Sequence, residues 1–182
     1  MSIDSSTSLE ELAVLVSTAL SEAGVIATLS GGAAVSIYSE NAYESADLDF
    51  VTFEGNKRLA EIIKKLGFTK YQGSRLFEHP ESEWLVEFPP GPLGFGDTVI
   101  DASDLPLLQT KYGELRIITP TLSVLDRLAA YCYHSDSQTW DQAIEVSKRQ
   151  SIDWSYVYQW AQNEGRDSAE IDKLKRISEG TS

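Results

Sequence analysis

The sequence predicts an α/β (α+β) protein, with a small mixed sheet flanked by helices over residues 1–118 and a helical subdomain over 119–182. Three observations predict it. A strand-length apolar run at 25–29 passes through Ser30-Gly31-Gly32 into a short helical stretch. Residues 47–53 alternate with strand period, and 84–88 form a second β-rich run halted by Pro89-Pro90. After Thr119-Pro120 the apolar residues recur at helical intervals almost to the end of the chain.

Taken in order, residues 1–7 read as a loose tail, and Ser8 and Glu11 have capping-box spacing. Leu9, Leu12, Ala13, Val16 and Leu20 then fall on one helical face, with Gly24 as the stop. The strand at 25–29 precedes a turn and a helix at 33–38. A loop at 41–45 leads to the strand at 47–53. Residues 56–66 form an amphipathic helix on Leu59, Ala60, Ile62, Ile63 and Leu66, ended by Gly67. Residues 68–71 and 74–78 are placed to pair as a hairpin around Gln72-Gly73. The Gly/Pro-rich stretch 91–96 reads as a connection or a rigid flap beside Glu87, and 99–100 and 116–118 as short strands. Helices follow on Leu122, Leu125, Leu128 and Ala129, at 138–148, after Asp153, and at 168–177. The aromatic set Trp140, Trp154, Tyr156, Tyr158 and Trp160 reads as helix packing.

Composition narrows the function. The 182 residues carry 28 acidic and 15 basic side chains, a net charge of −13. That charge opposes stable binding of a nucleic-acid backbone by the chain alone. The densest basic cluster, Lys57, Arg58, Lys64 and Lys65, reads as a solvated helix face. One cysteine, Cys132, and two histidines exclude an internal disulfide and sites built from several Cys or His ligands. No apolar run approaches the ~20 residues of a membrane helix, and residues 1–8 do not read as a signal peptide. The expected setting is the cytoplasm, with no membrane partner.

Chemistry concentrates at three places. The Ser30-Gly31-Gly32 turn between strand and helix offers backbone N–H groups to an anion, and glycines allow close approach. Asp47 and Asp49, two apart on a strand, project from one face with Cα atoms roughly 6.5 Å apart. Their repulsion calls for a cation or solvent, and hard oxygen ligands suit Mg²⁺ or Mn²⁺. Glu87 lies between Val86 and Phe88 and asks for a cation or arginine partner. Each motif alone also has an ordinary explanation: a tight turn, a solvated edge strand, a partly exposed glutamate.

Together, "LSGGAAVSIY" at 29–38, "SADLDFV" at 45–51 and the later strand glutamate resemble the nucleotidyltransferase superfamily of the polymerase-beta type. The nearest likeness is to its small bacterial abortive-infection toxin-like branch. The resemblance covers about residues 25–90 and extends loosely through "EFPPGPLG" and "TPTLSVLDRLAAY". It implies a minimal mixed sheet flanked by helices and transfer of a nucleoside monophosphate from an NTP to a hydroxyl, with release of pyrophosphate. Gly31 and Gly32 match its phosphate-binding turn, Asp47 and Asp49 its metal ligands, and Glu87 its third carboxylate. Three differences stand out. Gly32 replaces a frequent serine, with Ser30 as a stand-in; the spacing from Gly32 to Asp47 is long; the third carboxylate is Glu, not Asp.

The implied cofactor is Mg²⁺ or Mn²⁺, held by Asp47, Asp49 and Glu87. Glu87 is read as a ligand or as the base. Lys111 and Arg127 are the candidate cations for the triphosphate, although Asp126-Arg127 also reads as a surface ion pair. The implied partners are an NTP, an RNA, protein or small-molecule acceptor, and a cognate antitoxin. The rival reading is a catalytically inactive binding or regulatory protein of the same fold.

Overall fold

The structure is a computed structural model that describes residues 3–71, 75–134 and 136–180. The chain begins with helix α1 (Leu9–Glu22), capped by the Ser8 hydroxyl, which accepts from the Glu11 N–H at 3.3 Å. Its buried face, Leu9, Leu12, Ala13, Val16 and Leu20, is the one the periodicity predicts. Strand β1 (Ala27–Ser30), helix α2 (Gly31–Tyr38) and strand β2 (Asp47–Thr52) follow, then helix α3 (Asn56–Ile63) with a 3₁₀ turn, Lys64–Leu66. Lys57, Arg58, Lys64 and Lys65 are exposed, as a solvated face requires.

Short strands β3 (Thr69–Lys70) and β4 (Phe77–Glu78) form the expected hairpin, whose turn residues Gln72, Gly73 and Ser74 lie outside the described residues. With β5 (Leu85–Glu87) these strands build one mixed sheet in the order β1-β2-β5-β4-β3. Among these described strands the β2–β5 pair is parallel and the other pairs are antiparallel. Leu29, Leu48, Phe50 and Val86 are fully buried and put the core on the faces away from the acidic side chains.

Two stretches depart from expectation. The 91–96 segment is not a free flap: Leu93–Phe95 is strand β6, paired with β7 (Thr98–Ile100). Leu93 and Phe95 are buried, and the Phe95 carbonyl accepts from the Trp160 indole N–H at 2.9 Å. The strand expected at 116–118 is the end of a second hairpin, β8 (Leu107–Thr110) and β9 (Gly113–Arg116). Residues 117 and 118 continue beside β1, where the Ile118 N–H donates to the Leu29 carbonyl at 3.0 Å.

Helices α4 (Pro120–His134), α5 (Ser137–Arg149), α6 (Trp154–Asn163) and α7 (Ser168–Glu179) complete the chain. Helix α2 contacts β1 and β2 as well as α4 and α5. Apolar residues of the C-terminal helices and of the sheet therefore share one core. Trp160 is buried, Trp140 meets Tyr131 in a tilted contact at 5.2 Å, and Trp154, Tyr156 and Tyr158 pack partly buried against the core, as expected. No helix among the described residues is long and apolar enough to cross a membrane.

Candidate active site

Alternation along β2 sends Leu48 and Phe50 into the core and leaves Asp47 and Asp49 half-buried on the opposite face. Parallel pairing then sets Asp49 beside Glu87, with Asp47 beside Leu85. In-register neighbours project to one face, so the third acid joins the first two. One carboxylate oxygen from each of Asp47, Asp49 and Glu87 lies within 4.8 Å of the others.

This crowding has an electrostatic signature. Asp49 is pushed up to about 7 from an ordinary 3.8, first by burial and then by the carboxylates of Asp47, Glu87 and Asp126, while Arg127 pulls it down. An all-oxygen donor set whose charges repel one another fits a hard divalent cation. Among the described residues, Asp47, Asp49 and Glu87 form the carboxylate group that could hold Mg²⁺ or Mn²⁺.

The glycine turn sits directly against these acids. Ser30 pairs with Asp49 across β1 and β2, and the chain enters α2 through Gly31 at φ +67. A Cβ on Gly31 would lie 2.6 Å from Asp49 Oδ2. Glycine is thus required both for the left-handed backbone and for the approach. The first amide of the helix is not free for an outside anion: the Gly31 N–H donates to Asp126 Oδ2 at 3.1 Å. The Ser30 side chain is buried and makes no capping bond. Gly32 faces Ser45, whose Oγ lies 2.7 Å from the place of a Gly32 Cβ.

The candidate cations separate. Arg127 lies next to the glycine turn through Asp126, whose Oδ2 accepts from both the Arg127 guanidinium and the Gly31 N–H, and its charge acts on Asp49. It donates to Asp126 Oδ2 at 2.7 Å and to Gln142 Oε1 at 3.1 Å, and its buried Nε has no hydrogen-bond partner. The Asp126–Arg127 pair is not a surface pair, with side chains only 20% and 14% exposed. Lys111 lies on the β8–β9 turn with its ammonium 4.8 Å from the Tyr112 ring centre.

Sequence reasoning missed Asp126 as a member of the site, together with Ser45 and Gln142. The only signal for Asp126 was its place beside an arginine on a helix that otherwise reads as amphipathic. A cavity of about 710 Å³ lies elsewhere, lined by Ile26, Val51, Phe53, Leu93, Val99 and Ile100. It opens near the opposite ends of β1 and β2 and holds none of these acids.

No family model matches the chain, and no curated protein matches it. Among solved structures, the chain is similar to the solution structure of the antibiotic-resistance factor ANT(2'')-Ia, with 12% identity, 94% of this chain and 91% of that chain covered, and a TM-score of 0.47. It is also similar to the crystal structure of ANT(2'')-Ia in complex with adenylyl-2''-tobramycin, with 14% identity, 94% and 88% covered, and a TM-score of 0.39.

Proposed function

We propose that this chain is a metal-dependent nucleotidyltransferase that moves a nucleoside monophosphate from an NTP to an acceptor hydroxyl. The observation that carries the reading is the convergence of Asp47, Asp49 and Glu87 within 4.8 Å, set against a glycine turn at a helix start. Asp47, Asp49 and Glu87 would hold Mg²⁺ or Mn²⁺, which when bound would supply acidification of the attacking hydroxyl and charge neutralisation at the leaving pyrophosphate. The acceptor oxygen bonds to the α-phosphorus, the bond to pyrophosphate breaks, and the hydroxyl proton passes to a carboxylate, which we assign to Glu87. Gly31 keeps the turn close to the acids. Arg127, anchored by Asp126 and Gln142, supplies the positive charge on the phosphate side.

The net charge of −13 favours a small-molecule or protein acceptor over RNA. The resemblance of residues 25–90 to toxin-like transferases supports a role as the toxin of a toxin–antitoxin or phage-defence pair in the cytoplasm, restrained by a cognate antitoxin.

A second reading is a nucleotide-binding protein without turnover. It is favoured by the prior engagement of the Gly31 amide by Asp126 and of Arg127 by Asp126 and Gln142. Incubation with α-labelled NTPs and Mn²⁺, over RNA, protein and small-molecule acceptors, separates the two. Label transfer that falls ~10³-fold or more in Asp49→Asn is the expected result. NTP binding with no transfer to any acceptor would establish the second reading instead.

A further inference from the structure

We infer that Ser45 is a positioning residue for Asp47, and that Gly32 lacks a side chain so that the Ser45 hydroxyl can stand there. The inference rests on the metal reading above and concerns only residues of this chain.

Ser45 is buried, two residues ahead of Asp47. Its single hydroxyl proton is shared between the Asp47 carbonyl at 2.9 Å and the Asp47 carboxylate Oδ1 at 3.3 Å, so the hydroxyl holds the backbone of that acid and steers its side chain. The hydroxyl is itself placed by α2. Ser36 Oγ donates to the Gly32 carbonyl at 3.1 Å and accepts from the Ser45 N–H at 2.9 Å, which ties the segment before β2 to the first turn of the helix.

The space is the second observation. A Cβ on Gly32 would meet Ser45 Oγ at 2.7 Å and Ser45 Cβ at 3.3 Å, with Tyr43 next at 3.4 Å. Gly32 is not at positive φ, so its backbone accepts any residue. The missing side chain therefore answers to Ser45 and not to backbone strain. A partner that orients a metal-binding carboxylate tightens the site without touching the ion.

The same geometry supplies the test, because the hydroxyl can be moved. With Ser45→Gly, the two nearest atoms to a side chain at 32 are gone, and a serine there fits. Binding of Mn²⁺ without NTP is measured by electron paramagnetic resonance titration. Circular dichroism checks that each variant is folded. Ser45→Ala is expected to weaken Mn²⁺ binding by about tenfold or more. Gly32→Ala is expected to do the same with residue 45 intact, since its methyl displaces the hydroxyl. Gly32→Ala/Ser45→Gly stays weak, whereas Gly32→Ser/Ser45→Gly recovers about tenfold over it.

Wild-type affinity in both Ser45→Ala and Gly32→Ala would overturn the assignment while leaving the metal site standing. Equal affinity in the two double variants would overturn it as well. Absence of Asp49-dependent Mn²⁺ binding in the wild type would overturn the metal reading and this assignment together.

Discussion

Asp49 carries the largest electrostatic burden of the acidic site, since it is half-buried and faces three other carboxylates, with Arg127 acting in its favour. The sign of its effect on stability follows by linkage. Its native pKa of about 7 lies above the ordinary 3.8, so between those values the native state keeps a proton that the unfolded chain has released. The associated stability is full below about pH 4, declines as pH climbs toward 7 and stays low above it. Without divalent ions, thermal melts of the wild type against Asp49→Asn are expected to converge at pH 4 and diverge with rising pH, the variant melting ~5 °C higher at pH 8. Saturating Mn²⁺ is expected to raise the wild-type melting temperature at pH 8 and to leave that of Asp49→Asn nearly unchanged. Curves that remain parallel from pH 4 to 8 would show that Asp49 ionises at an ordinary pH.

At the scale of elements, the β6–β7 hairpin is held to the C-terminal helices through a buried bond from the Trp160 indole to the Phe95 carbonyl. Trp160→Phe removes that bond and part of a buried ring. Destabilisation of ~2 kcal/mol by denaturant titration is expected, with unchanged Mn²⁺ affinity. A loss of Mn²⁺ affinity would mean that the hairpin acts on the acids. This hairpin also shows where sequence legibility stopped. Glycine and proline density at 91–96 masks the two-residue period of Leu93 and Phe95, because a strand so short contains a single repeat of it. The β8–β9 hairpin was hidden for a related reason: its Lys111-Tyr112 turn lacks the Asn-Gly or Asp-Gly pair that marks such connections. By contrast β2 spans enough residues for its alternation to be read, and both aspartates came with it. Glu87 was legible as an acid among apolar neighbours. Its meeting with Asp49 depends on the parallel register of β2 and β5, which no local period contains. Ser45 had no local signal at all, since its role is defined by an empty place on another element.

For the molecule as a whole, the division into a sheet-containing part and helices was readable from the change of period after Thr119. The way the two are joined was not, because its contacts, the bond from the Gly31 amide to Asp126 among them, link residues far apart in the sequence. That single bond makes the backbone proton of Gly31 an internal reporter. As the first amide of α2 it has no acceptor within its own helix, so its protection from solvent exchange rests on the Asp126 side chain of α4. Asp126→Ala is expected to speed deuterium uptake at Gly31 at least about tenfold while amides in the middle of β2 hold their rates. Uptake at Gly31 that is indifferent to residue 126 would mean that the amide is shielded by something other than α4. With the wild type, following that one proton as denaturant rises would time the departure of the C-terminal helices from the sheet.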